Sequence, residues 1–378
     1  MKIKIPLGIS ALMERLEQAG YEAYLVGGCV RDAYMGIAPQ DYDITTSALP
    51  EQTKEVFRDA RVIETGLAHG TLTLLTDNGP VEITTYRLDG DYSDHRHPDA
   101  VYFTRSLQQD LARRDFTINA MAMDRRKNLI DLFGGRADID AKILRCVGDA
   151  ERRFEEDALR MLRALRFAAR LGFSLEAQTK QALQTKKELL KTVAAERIFT
   201  ELCGLLQGAY AAAVLKEYSA LLQVILPEMQ VSEHRLAQLP PDPMMRLAAL
   251  LKKESAAADL ANLKAPNAFK RTVLMLLENQ ETKRPKTERK LHRLAMDLGA
   301  ENLQMLYAWR GWELAQLTAF LAKNPCLHIR DLALDGKDLM AFGLQGAAIG
   351  DAQKYLLEQV AEGLPNEKEI LIQAIKNR

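Results

Sequence analysis

A chain of 378 residues, 47% apolar and 27% charged, is long enough for about two or three domains and has the make-up of an ordinary globular protein. Its 51 basic and 51 acidic residues cancel, so no global positive excess announces a polyanionic partner, and only a local basic face can serve one. Four scattered cysteines, Cys29, Cys146, Cys203 and Cys326, form no C-x-x-C, which speaks against disulfides and a cysteine zinc site and fits a reducing compartment. The start, MKIKIPLGIS, lacks the apolar core of a signal peptide, and no run approaches a membrane span, so a cytoplasmic protein without a membrane partner is expected.

Behind Pro6, the spacing of Leu7, Ile9, Leu12, Leu16 and Ala19 predicts a helix stopped by Gly20. Tyr24-Leu25-Val26 reads as a buried strand broken by Gly27-Gly28, and a helical turn carrying Arg31 and Asp32 follows. The chain returns through Asp41-Tyr42-Asp43 into β-branched Ile44-Thr45-Thr46, and Pro50 opens a helix over PEQTKEVF. Strands are predicted at 61–64, 70–76 and 81–85, with a hairpin turn at Asp77-Asn78-Gly79-Pro80.

Arg87–Pro98, RLDGDYSDHRHP, is polar and reads as a mobile loop over a site, its His95 and His97 more in keeping with solvation than with a metal. Ser106 is expected to cap a helix that runs through Arg113-Arg114-Asp115 and FTINAMAM to Asp124. Strands at 129–132 and 143–147 close the block. From Glu151 onward the pattern is helical, with no convincing strand, in short helices separated by Pro-containing turns and a last unit of two helices over Gly336–Arg378.

The stretch YLVGGCVRDAYMGIAPQDYDIT concentrates chemistry. Read as strand residues two apart, Asp41 and Asp43 share a face, and two carboxylates opposite a glycine turn suit a divalent metal held against a phosphate-bearing substrate. Glu82 has the opposite parity from Val81 and Ile83, which makes it either a third carboxylate of the site or a solvent-facing side chain. No G-x-x-x-x-G-K-[ST] or G-x-G-x-x-G occurs, which disfavours P-loop and dinucleotide folds.

A continuous helix is expected over Glu156–Arg170, with Asp157, Arg160, Arg163 and Arg166 on one ridge and Leu159, Leu162 and Leu165 on a buried stripe beside it. Cytosine and adenine both present an amino donor beside a ring acceptor, which an Asp–Arg pair matches; uracil and guanine present the reverse. Such a pair admits C and A and rejects the others at about 1–3 kcal/mol for each mismatched buried group.

The ordered segments LVGGCVRD…DYDITT, RRDFTINAMA, DLFGGRADI, EEDALRMLRALRF and ERIFTEL resemble the class II tRNA nucleotidyltransferase/poly(A) polymerase family, over about residues 20 to 205. The tail LDGKDLMAFGLQGAAIG also resembles the RNA-binding C-terminal part of bacterial CCA-adding enzymes. The resemblance implies an α+β fold: a polymerase-β-like nucleotidyltransferase head (mixed sheet with helices, 1–148), then an all-helical neck (149–206), body (207–325) and tRNA-binding tail (326–378).

By position it implies Asp41 and Asp43 as the metal pair for Mg2+, with Glu82 as the candidate third catalytic carboxylate. Gly28 and Arg31 match triphosphate contacts, Arg114 a nucleotide-contacting arginine, and Asp115 and Asn119 organisers of the mobile loop. Asp157, Arg160, Arg163 and Arg166 match the helix that reads incoming ATP or CTP. The implied activity is CCA addition to tRNA 3′ ends without a nucleic-acid template, with the acceptor arm as partner.

A-only addition, CC-only addition, poly(A) tailing and a catalytically inactive RNA-binding protein are the alternatives. The full-length 87–98 loop argues against CC-only addition, and the neutral charge against poly(A) tailing. The cluster Lys283, Arg284, Lys286, Arg289, Lys290 and Arg293, with only Glu288 against it, is a candidate phosphate grip. Oligomeric state is not legible.

Overall fold

The computed structural model describes residues 5–76, 79–90 and 101–378. Two compact units divide the chain: residues 1–233 with 262–264, and residues 234–261 with 265–378. The first is α+β and the second is helical throughout its described elements.

The first unit opens with α1 (Leu7–Gln18), which buries Ile9, Met13 and Leu16 while Leu7 faces solvent. Its sheet contains β1 (Ala23–Val26), β2 (Asp43–Thr46), β3 (Val62–Ile63), β4 (Thr71–Thr76), β5 (Gly79–Thr85), β8 (Met121–Met123) and β9 (Leu129–Asp131) in the order β3-β4-β5-β2-β1-β8-β9. Helix α2 (Gly28–Tyr34) follows β1, and α3 (Pro50–Val56) follows β2.

Strands β2 and β5 run parallel, a pairing that needs a crossover, and α3, β3 and β4 supply it. Ile44 lies beside Ile83 in that register, and both are buried with Leu72, Leu74 and Val81. The alternation of side chains then leaves Glu82 exposed and beside Asp43.

Several expectations need correction. Arg87–Asp89 is not loop but strand β6, paired antiparallel with β7 (Val101–Phe103); residues 91–98, with His95 and His97, lie outside the described residues. The Ser106-capped helix α4 (Leu107–Ala112) stops before Arg113, and after a 3-10 turn at Thr117–Asn119 the chain becomes β8 between β1 and β9. Met121, Ala122 and Met123 are fully buried, so no alternation marks the strand, and two good helix formers disguise it.

Helix α5 (Gly135–Asp140) leads to β10 (Ile143–Leu144), and α6 (Ala150–Glu156) and α7 (Leu159–Leu171) follow. A two-residue strand, β11 (Ser174–Leu175), pairs parallel with β10 where only helix was expected. Beyond it lie α8 (Ala177–Lys186) and α9 (Ala195–Leu206). Helix α9 and the residues just after it pack closely on α7 because Gly204, on the helix, and Gly208, beyond its end, have no side chain: a Cβ would stand 2.5 Å from Arg166 Cδ at the first and 2.5 Å from the Ala169 backbone at the second.

In the second unit, Leu291, Leu303, Tyr307, Leu317 and Phe320 form one apolar cluster, and Leu334, Leu339, Leu356 and Leu371 form another. The last stretch holds three helices rather than two, Gly336–Ala341, Ala347–Ala361 and Lys368–Lys376. The basic cluster is less free than its sequence implied: Glu362 pairs with both Arg289 and Arg293, and Glu313 stands 3.5 Å from Arg284. No described helix is long and apolar enough to cross a membrane, and all four cysteines are free.

Candidate active site

The glycine break after β1 is a steric requirement at Gly27. Its φ is +74°, and a Cβ there would stand 3.1 Å from Arg114 Nη1 and 3.9 Å from Asp43 Oδ2. The left-handed backbone favours glycine, and its missing side chain leaves room for the guanidinium beside the carboxylate. Gly28, the expected phosphate contact, opens α2, and a Cβ there would meet only Arg31 Nη2 at 3.6 Å.

Asp43 is the first residue of β2, whereas Asp41 is exposed in a bend ahead of the strand. Strand parity therefore does not relate the two. Their charges still interact: burial, then Glu82 and Asp41, push the Asp43 carboxyl up to about 6, against the pull of Arg114. Asp41, Asp43 and Glu82 thus form one acidic corner.

Carboxylates are the oxygen donors a hard divalent cation takes, and its charge would relieve the repulsion on Asp43. Among the described residues no three His, Cys, Asp or Glu side chains are grouped so that together they could hold a metal ion. Magnesium in particular binds through one or two carboxylates and completes its shell with water and substrate phosphate.

A network of charged and polar side chains joins α2 to α7 and α9. Arg31, 3% exposed, donates to Asp32 Oδ1 at 2.8 Å and to Asn119 Oδ1 at 2.6 Å. Asn119 donates to Asp115 Oδ1 at 3.1 Å, and the Phe116 N–H donates to the same oxygen at 2.8 Å. Arg163 on α7 closes on Asp115 Oδ2, and Arg166 stands 2.6 Å from Glu201 Oε2 on α9. The guanidinium carbons of Arg31, Arg163 and Arg166 lie 5.2, 5.6 and 4.8 Å from the ring centre of buried Phe167. This links the two expected phosphate and base elements through packed side chains.

The expected continuous ridge is interrupted. Helix α6 ends at Glu156, Asp157 is extended (φ −144°, ψ 102°), and α7 begins at Leu159. Asp157 Oδ1 accepts from the Leu159 N–H at 3.1 Å, and Arg197 on α9 grips both carboxylate oxygens. An aspartate that accepts the N–H two residues on offers the backbone a turn in place of continued helix, which accounts for the break.

Arg160, on the first turn of α7, is 9% exposed and donates to Glu156 at 2.7 Å and to the carbonyls of Arg153 and Arg113. Leu159, Leu162 and Leu165 are buried as expected. All four ridge residues thus carry partners, and Asp157 and Arg160 flank the start of α7 rather than sharing one helix.

Composition gave no role to Arg197, Glu201, Asp110 or Phe167. Arg197 and Glu201 lie within ERIFTEL, but their partners are 40 and 35–38 residues away, beyond any local pattern. For Asp110 a signal existed: D-x-x-R-R sets one acid three and four residues before two bases, on one helical face.

Residues 23–145 match the family model described as poly A polymerase head domain, and residues 172–232 match one described as a probable RNA and SrmB-binding site of polymerase A. A CCA-adding enzyme of Lactiplantibacillus plantarum is 37% identical over 96% of this chain and 93% of its own. One from Lactobacillus delbrueckii subsp. bulgaricus is 49% identical over 55% of this chain and 52% of its own.

Among solved structures, the Bacillus stearothermophilus CCA-adding enzyme in complex with CTP superposes with a TM-score of 0.81 at 31% identity, covering 98% of this chain and 97% of that one. The Thermotoga maritima CCA-adding enzyme complexed with tRNA shares the fold at a TM-score of 0.68 and 20% identity, covering 100% of this chain and 97% of that one. Being 37% identical to a CCA-adding enzyme along nearly the whole of both chains, and matching the polymerase head over residues 23–145, the chain belongs to the tRNA nucleotidyltransferase/poly(A) polymerase family, in the branch that includes bacterial CCA-adding enzymes.

Proposed function

We propose that this chain adds cytidine, cytidine and adenosine in turn to tRNA 3′ ends, using CTP and ATP, with Mg2+ as its metal and the cytoplasm as its setting. The observation that carries the reading is the register of β2 and β5, which sets Glu82 beside Asp43, in a chain 37% identical to a CCA-adding enzyme along nearly its whole length.

Asp41 and Asp43 hold the metal, and Glu82 completes the acidic corner. When bound, the metal lowers the pKa of the attacking 3′-hydroxyl and offsets the charge of the leaving pyrophosphate. Gly28, Arg31 and Arg114 hold the triphosphate. No covalent intermediate is required.

Asp157 accepts a hydrogen bond from the exocyclic amino group of C or A, and Arg160 donates one to the neighbouring ring nitrogen. Arg163 and Arg166 support that turn through Asp115 and Glu201. The preformed ion pairs of these residues favour the reading, because a base-reading pair held in place loses little freedom on binding. We assign the head to 1–148, the neck to 149–206, the body to 207–325 and the tRNA-binding tail to 326–378.

The test offers labelled CTP or ATP separately to tRNAs ending before CCA, after C and after CC. Labelled cytidine on the first two and adenosine on the third is the expected result. Adenosine alone, on the CC end alone, identifies an A-adding enzyme, and long adenosine tails on any RNA identify a poly(A) polymerase; either overturns the proposal.

A further inference from the structure

Asp110 sits on α4 with no exposed surface, yet it bridges three elements. Its Oδ1 accepts from Arg113 Nε at 3.0 Å and Nη2 at 2.8 Å, and from the Arg87 N–H of β6 at 3.4 Å. Its Oδ2 accepts from Thr45 Oγ1 of β2 at 3.2 Å, two residues from Asp43, and faces Arg114 Nη2 at 3.6 Å. Burial pushes the Asp110 carboxyl up, but the charges of Arg113 and Arg114 outweigh it and hold it below the usual range. It is an anion.

Arg114 therefore stands between two carboxylates. Nη2 faces Asp110, while Nη1 and Asp43 Oδ2 both border the space that Gly27 leaves clear. Its Nε is buried without a hydrogen-bond partner among the described residues. An arginine side chain is long and has many rotamers, and an untethered guanidinium this near Asp43 would close on it. That ion pair would occupy the carboxylate proposed to hold metal and withdraw the cation proposed to meet phosphate.

We propose that Asp110 is a positioning residue: by tethering Arg114 through Nη2 it keeps the guanidinium off Asp43 and ready for the nucleotide. The inference rests on the proposed nucleotide contact of Arg114. Nothing in D-x-x-R-R requires this use, since the same spacing serves an ordinary helix ion pair. The complete burial of the acid and its additional ligands from β2 and β6 set it apart, because an isolated surface pair would contribute little.

A double-mutant cycle tests it, reading CTP affinity by calorimetry on the full chain with Mg2+, and KM and kcat for cytidine addition to a tRNA lacking CCA. Asp110→Asn and Arg114→Ala are each expected to weaken CTP binding by about tenfold or more, and the double variant to be within about twofold of Arg114→Ala alone. Losses that instead multiply in the double variant would show that Asp110 acts through the fold and not through Arg114.

Wild-type CTP affinity in Arg114→Ala would remove the nucleotide contact itself, and the positioning role with it. Should Asp110→Asn not fold, Thr45→Val, which removes one ligand of Oδ2 and no charge, enters the same cycle with the same expected non-additivity. Its losses multiplying with those of Arg114→Ala would likewise overturn the proposal.

Discussion

Arg197 holds Asp157 with two nitrogens on two oxygens, Nη2 to Oδ2 at 2.9 Å and Nη1 to Oδ1 at 3.3 Å, across 40 residues of sequence. A two-point grip fixes the plane of the carboxylate as well as its position. If Asp157 reads the base, Arg197 sets the angle of that reading. Arg197→Lys keeps the charge and loses the fork, so it is expected to admit UTP and GTP more readily and to weaken CTP and ATP use by about 10-fold or more. Single-nucleotide addition measured with each of the four triphosphates decides; unchanged discrimination would detach Arg197 from base choice.

Asp41→Ala and Asp43→Ala are each expected to abolish nucleotide transfer, reducing kcat by about 10³-fold or more. Stability moves the other way for Asp43. Its carboxyl rises from 3.8 to about 6 on folding, so between those values the folded chain binds more protons than the unfolded one, and stability falls as pH rises through that window. Asp43→Asn removes this cost. It should raise stability at pH 7.5 by about 1–3 kcal/mol, with thermal melting of an inactive but sturdier protein as the observation.

The same group sets the acid side of the pH profile. At limiting Mg2+, kcat/KM for cytidine addition should fall below a pH of about 6, as Asp43 takes up its proton. Glu82 is the largest charge raising that carboxyl, so Glu82→Gln should move the limb to lower pH, and so should more Mg2+. A limb that Glu82→Gln leaves in place would exclude Glu82 from the acidic corner.

Asp115 makes the opposite contribution. Burial pushes its carboxyl up, but the charge and hydrogen bonds of Arg163, with Asn119 and the Phe116 N–H, bring it down to about 2. Its stabilising effect is present above the unfolded value near 3.8 and is lost as pH falls toward 2. Asp115→Asn should therefore destabilise by about 2–3 kcal/mol at pH 7, the difference shrinking below pH 4, in denaturant titrations of the two proteins at several pH values.

Local rules made much of the head legible. The parity of VEITT placed Val81 and Ile83 inside and Glu82 outside, and the Ser106 cap and Pro50 start fell where expected. Strand β8 did not reveal itself, because a segment buried on both faces has no alternation and Met-Ala-Met suits a helix. Nor did the break at Asp157, since the residues around it in EEDALRMLR are good helix formers and the Asp157 bond to the Leu159 N–H is made only once the backbone has turned. What the sequence withheld most fully was pairing: Asp115 with Arg163, Asp157 with Arg197 and Asp110 with Thr45 are long-range, and no periodicity encodes them.

The alignment of Asp43 with Glu82 carries a consequence for how this chain can vary. Both acids sit in strands whose other residues are gripped by the core, Ile44 against Ile83, so one added or deleted residue inside β2 or β5 would turn every side chain of that strand over. Glu82 would be driven into the hydrocarbon interior while Val81 and Ile83 faced water. Length changes among homologues should therefore collect in the connections and spare the interiors of these two strands. The oily residues behind the acidic corner act as a ratchet, fixing the acids' place by making every half-step too unfavourable to keep.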